Sequence, residues 1–155
     1  MRGKATALCC AGMAHPRISA HEAYRLMCEQ GYAYLDVRSE QEFALGHPEG
    51  AYNIPLMLRG APGWIENPDF LAAVRGAFAR EAKLVLGCRS GKQSRTAAER
   101  LIADGYRQIV EQSGGYEGAR DAFGRALEPG WRAAGLPSAL EPAPGREYAA
   151  LKPRT

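Results

Sequence analysis

An apolar run, Lys83-Leu84-Val85-Leu86-Gly87, ends on Cys88, and the loop Arg89-Ser90-Gly91-Lys92-Gln93-Ser94-Arg95 follows before a helical pattern begins. A cysteine so placed suits nucleophilic chemistry, because the thiolate rather than the thiol attacks. The pattern favours the thiolate in several ways. The strand carries the sulfur to the carboxyl edge of a sheet, the loop turns backbone N–H groups inward, and the next helix adds the positive end of its dipole. Arg89 and Lys92 add full charges, with Arg95 further on, and Gly91 admits the positive φ that a tight anion cradle needs. A strand-terminal cysteine is commonly a small buried hydrophobe. The polar residues directly after Cys88 argue instead for a boundary position outside the core. They predict a reactive cysteine.

Other polar residues read mainly as supports. Asp36 and Arg38 are expected to hold a strand end and its loop by hydrogen bonds and an ion pair. His47, between Gly46 and Pro48, reads as a loop anchor, since a thiolate stabilised by its loop needs no general base. His15 and His21 read as surface residues, Gly114-Gly115 as a turn, and Trp131 as core. The remaining cysteines are Cys9, Cys10 and Cys28. No Cys-x-x-Cys occurs and no Cys/His spacing suits zinc, so no metal is expected, and a reducing compartment, the cytoplasm, fits best. The net charge of +3 is too small and too dispersed to argue for nucleic-acid binding. No apolar run approaches the roughly 20 residues of a membrane span. The first residues faintly resemble a secretory signal, but the apolar part is short and poor in leucine. Residues 1–16 are therefore expected to be a flexible leader.

Periodicity supplies the elements that must position these groups. Ser19-Ala20-His21-Glu22 reads as a capping box opening a helix toward Gln30, with Gly31 as its stop. Residues 33–37 read as a buried parallel strand, and Ser39-Glu40-Gln41-Glu42 as a second capping box on a short helix ended near Gly46. Residues 51–54 form a short strand stopped by Pro55. Asn67 reads as an N-cap with Pro68 in the first helical position, and Phe70, Leu71, Val74, Ala77 and Phe78 share one face of the helix. Residues 83–87 are the central strand. Ala97, Ala98, Leu101 and Ile102 line the next helix, closed by Gly105, and residues 107–111 are a final strand. The alternation predicts an α/β fold whose parallel sheet is covered on both faces, with ligands at the carboxyl ends of the strands. Residues 138–155 read as a loosely packed extension.

Two long motifs carry a resemblance. Cys88 to Ser94 is similar to the active-site loop of the rhodanese (sulfurtransferase) family. Asp36-Val37-Arg38, Glu42-Phe43, Gly46-His47, Gly50-Ala51 and Asn53-Ile54-Pro55 resemble its upstream signature, and Gly114-Gly115-Tyr116 and Trp131 with Gly135-Leu136-Pro137 its closing segment. Residues 57–71 further resemble single-domain thiosulfate sulfurtransferases. The resemblance implies one rhodanese-like domain over 17–137, with a five-stranded parallel sheet and helices on both faces. It implies that Cys88 carries a covalent persulfide and that no separate cofactor is needed. Arg89, Ser90, Gly91, Lys92, Gln93 and Ser94 would hold an anionic donor such as thiosulfate. The acceptor would be cyanide or a thiol, thioredoxin or glutathione among them. Arg59, in the connection over 55–67, could reach the donor, and Trp64 could shield the mouth. Gln93 departs from the pattern, since many members carry Arg there; Pro48 replaces Ile or a similar residue, and residues 119–130 read as an insertion. Two other readings stay open. One is a redox-sensing module that binds without turnover. The other is a Cys-dependent phosphatase or arsenate reductase, disfavoured because the Arg expected six positions after the cysteine is Ser94.

Overall fold

The computed structural model of the chain describes residues 15–60, 63–89 and 92–153. Of the expected leader, residues 1–14 lie outside the described residues.

Five parallel strands make the central sheet, in the order β1 (Arg17–Ile18), β8 (Gln108–Gln112), β7 (Lys83–Gly87), β2 (Ala33–Asp36) and β4 (Tyr52–Asn53). The expected central strand is central. Each of the middle strands sends alternate residues to opposite faces, and both sets are buried. Leu35, Leu84, Leu86 and Ile109 pack on one side with Phe70, Val74, Ala97, Ala98 and Leu101. Those residues come from α3 (Phe70–Ala77) and α4 (Lys92–Ala103). Tyr34, Val85 and Val110 pack on the other side with Ala20, Ala23, Phe43 and Trp131. That face is covered by α1 (Ala20–Glu29) and α2 (Glu40–Ala44). A sheet buried twice needs apolar residues in both registers, which is why these strands read as continuous apolar runs.

The helix starts follow from their caps. Ser39 Oγ accepts the Glu42 N–H while the Glu42 carboxylate accepts the Ser39 N–H, a complete capping box. At Ser19 only the hydroxyl half forms. Gly31 and Gly105, both at positive φ, follow α1 and α4 as expected.

Several expectations need correcting. An edge strand, β1, precedes the first capping box, and short strands outside the main sheet follow 108–112, which is therefore not the final strand of the chain. Helix α3 starts later than expected. Asn67 Oδ1 accepts the Asp69 N–H across a turn, and Asp69 rather than Asn67 is the cap residue. The connection from Pro55 is an antiparallel hairpin, β5 (Met57–Gly60) with β6 (Gly63–Glu66). Residues 119–130 fold into a second hairpin, β9 (Ala119–Arg120) with β10 (Ala126–Glu128). The segment after 138 is not loosely packed. Strand β11 (Ser138–Ala139) pairs with β3 (His47–Pro48), and α5 (Tyr148–Leu151) buries Tyr148 in the first core. The Tyr148 hydroxyl accepts from Asn67 Nδ2 at 3.1 Å. An aromatic side chain gives a short segment enough apolar area to dock. Composition alone hid this because Pro, Ala and charge dominate the tail.

Candidate active site

Cys88 stands one residue past β7, at the carboxyl edge of the sheet. Its neighbour Gly87 has no Cβ for a steric reason: one built there would collide with the Tyr34 ring and hydroxyl. Tyr34 passes over Gly87 to donate to Gln112 Oε1 at 2.5 Å, and Gln112 Nε2 donates to the Gly115 carbonyl at 2.8 Å. Burial, then the Asp36 charge, hold the Tyr34 phenol well above its ordinary pKa, so it stays a donor. The turn after β8 then presses on the loop. The Tyr116 N–H donates to the Cys88 carbonyl at 2.7 Å and the Glu117 N–H to the Arg89 carbonyl at 2.9 Å. A side chain at Gly115, which has φ 64°, would strike both carbonyls. The Gly114-Gly115 turn thus clamps the backbone of the nucleophile.

The Cys88 side chain is 2% exposed and belongs to the first core cluster, which corrects the expected boundary position. Access comes instead from a cleft of about 340 Å³ lined by Cys88, Arg89, Gln93, Ser39, Glu42, Met57 and Trp64. The Ser94 N–H donates to Cys88 Sγ at 3.4 Å from the first turn of α4. The first N–H groups of a helix have no partner within it, and they carry the positive end of its dipole. Ser94 is wholly buried, and its hydroxyl donates to Glu111 Oε1 at 2.9 Å.

The remaining expected residues are distributed as follows. Arg89 and Gln93 are exposed and line the cleft. Ser90 and Gly91 lie outside the described residues, as does the side chain of Lys92. Arg59 does not line the cleft; it is the cross-strand partner of Trp64 and its guanidinium lies 5.2 Å from that ring. Trp64, 48% exposed, does line it. Asp36 and Arg38 form a buried pair, with Arg38 Nη2 2.7 Å from Asp36 Oδ2 and 2.6 Å from the Gly46 carbonyl. Burial is the largest influence on Arg38 and would lower its pKa, but the Asp36 charge, the Asp36 hydrogen bonds and the weaker Tyr34 and Glu42 charges together leave it raised. Asn53 Nδ2 ties down the Asp36 and Arg38 carbonyls. His47 is buried, stacked on Phe43, and donates from Nδ1 to the Phe43 carbonyl at 2.7 Å, as an anchor would.

His15 was expected on the surface. It is instead part-buried and hydrogen-bonded through Nε2 to Glu111. Glu111, Gln112, Arg17, Glu42, Met57 and Gly115 were not singled out from the sequence as site residues. The one available signal was Glu111-Gln112, two polar residues at the end of the strand read over 107–111.

Among the described residues no group of His, Cys, Asp and Glu side chains has the arrangement of a metal site, and no helix is long and apolar enough to cross a membrane. A buried sulfur under a helix N-terminus, reached through a cleft carrying an arginine, is an arrangement for covalent capture of an anionic electrophile. The family model for the rhodanese-like domain matches residues 19–122.

The chain belongs to the rhodanese-like domain family.

Named relatives agree. The chain is 43% identical over 86 residues to thiosulfate sulfurtransferase 16, a chloroplastic protein of Arabidopsis thaliana, covering 56% of this chain and 72% of that one. It is 40% identical over 92 residues to the chloroplastic rhodanese-like domain-containing protein 15 of the same plant, covering 59% and 50%. A third Arabidopsis relative, the mitochondrial protein HIGH ARSENIC CONTENT 1, is 38% identical over 92 residues, covering 59% and 54%. The chain spans about half the length of several of these relatives. Among solved structures, Rv0390 from M. tuberculosis superposes with a TM-score of 0.68 at 28% identity, covering 83% of this chain and all of that one. The rhodanese-like fold and a family relationship to sulfurtransferases are therefore established.

Proposed function

We propose that the chain is a sulfurtransferase that moves sulfane sulfur from thiosulfate, or a similar anionic donor, through a persulfide on Cys88. The observation that carries this reading is the Ser94 N–H on Cys88 Sγ, at the start of α4 and beside an open cleft. In the first half-reaction the Cys88 thiolate attacks the outer sulfur of thiosulfate. A Cys88 S–S bond forms, the donor's S–S bond breaks, and sulfite leaves with the electron pair. In the second, an acceptor attacks the outer sulfur and Cys88 leaves as the thiolate. Cyanide would give thiocyanate, and a thiol such as glutathione or thioredoxin would give a persulfide. Donors on the sulfur and a cation at the cleft stabilise the anionic leaving groups in both steps. The chemistry draws on no metal or organic cofactor, since the sulfur is held covalently. Reduced thiols are required throughout, which is why we assign a reducing compartment such as the cytoplasm.

Arg59 acts on the donor only through Trp64 in this reading, and Arg89 is the one cation among the described residues that line the cleft. The test is steady-state turnover of thiosulfate and cyanide to thiocyanate by the wild type and by Cys88→Ser. The expected result is turnover by the first and none by the second, with unchanged circular dichroism. Wild-type turnover by Cys88→Ser contradicts the mechanism. Hydrolysis of an aryl phosphate in place of thiosulfate turnover favours the phosphatase reading.

A further inference from the structure

Among the described residues, Glu111 is the one fully buried carboxylate that reaches the loop and that the proposed reaction does not use. A buried carboxylate is costly unless its oxygens are taken. Those of Glu111 are: Arg17 Nη1 donates to Oε1 at 2.8 Å, His15 Nε2 donates to Oε2, and the Ser94 hydroxyl donates to Oε1 at 2.9 Å. Arg17 is the cross-strand neighbour of Glu111 between β1 and β8, so fastening the edge strand accounts for Arg17 and His15. It does not account for Ser94. That residue belongs to a different element, α4, and its own N–H donates to the Cys88 sulfur. The Ser94 side chain leaves the first turn of the helix. Here a carboxylate on the adjacent strand holds it, and with it the first turn of the helix. The Arg17 guanidinium offsets the charge, so a carboxylate stands behind the sulfur without simply repelling it.

We propose that Glu111 is a positioning residue for the Cys88 nucleophile, acting through Ser94 to keep the Ser94 N–H aimed at the sulfur. Its effect on turnover rests on the transferase reading above; its effect on the sulfur does not.

A double-mutant cycle in the full chain tests this. The first readout is the second-order rate of Cys88 alkylation by iodoacetamide at pH 7, followed by peptide mass so that the other cysteines do not contribute. It needs no sulfur donor. A hydrogen bond is worth about 1 kcal/mol, so Ser94→Ala and Glu111→Ala should each slow alkylation about fivefold. The double variant should be no slower than the slower single one, because both changes remove the same link. With thiosulfate, the loss should fall on kcat and leave KM within about twofold, since the donor itself is held elsewhere. If Glu111→Ala does not fold, Glu111→Asp replaces it with the same expectation: it keeps a charge for Arg17 but withdraws it from Ser94. Losses that multiply in the double variant, or that fall on KM alone, mean separate structural roles and overturn the proposal. So does wild-type alkylation of Ser94→Ala, whatever the fate of the Glu111 variants. A wild type that is alkylated normally but does not turn over thiosulfate sinks the transferase reading and leaves the alkylation cycle to decide the role of Glu111.

Discussion

Gln93 is exposed beside Cys88 and Arg89 in the cleft, at a loop position where the resemblance leads one to expect a cation. Its amide offers a donor but no charge to an anion, and Glu42 on the same cleft opposes one. Gln93→Arg should therefore lower the KM for thiosulfate about fivefold, roughly 1 kcal/mol at a screened and partly exposed site. An unchanged KM would mean that backbone groups alone hold the donor. The contiguous part of the site was legible in the sequence: Cys88, Arg89, Gln93 and Ser94 lie within one turn of chain, and a strand, loop and helix fix their order. The rest was not. Glu111 and Arg17 come from strands, and Met57 from a hairpin, that only the folded topology brings to the loop. Whether a strand-ending glutamate faces solvent or a buried hydroxyl depends on its register with β1, which a single sequence does not encode in any local pattern.

At the scale of elements, local chemistry predicted best where side chains close their own backbone. The Ser39–Glu42 box and the glycines after α1 and α4 stand where expected. The failures are elements whose stability comes from distant partners: two-residue β1, the hairpin β5–β6, and α5 at the end of the described chain. Four residues make no stable helix alone. α5 exists because Tyr148 fills a gap beside Asn67 and the first core. Tyr148→Ala should destabilise the fold by about 3 kcal/mol, as aromatic truncations in cores do. Chemical denaturation measures this, and a loss below about 0.5 kcal/mol, the size of an ordinary surface change, would show that the segment does not dock in solution. The hairpin carries Trp64 to the mouth and Arg59 to Trp64, so Trp64→Ala should raise the KM for thiosulfate more than Arg59→Ala does. The reverse order would give Arg59 direct contact with donor.

Across the whole molecule, α3 and α4 cover one face of the sheet, and charges hold them together at one end. Asp104, after α4, takes Arg75 from α3 and Arg80 from the following turn. The Arg75 hydrogen bond, more than burial opposes it, holds the Asp104 pKa below its ordinary 3.8. A depressed folded-state pKa contributes stability above the unfolded value, and this is lost as pH falls through the folded one. The Tm difference between wild type and Asp104→Asn should thus be constant from neutral pH to about 5 and vanish in the acid range below 3.8. A difference that persists unchanged in that acid range would remove the ion pairs from the account. The same architecture places Cys88 under the N-terminus of α4, and the central claim is that this sulfur carries a second one. Mass spectrometry of the intact protein, after brief incubation with thiosulfate and removal of donor, tests it most directly. The account predicts a gain of one sulfur atom, mapped to the peptide holding Cys88 and lost again on adding cyanide. An unchanged mass, or sulfur found on Cys9, Cys10 or Cys28 instead, would contradict it.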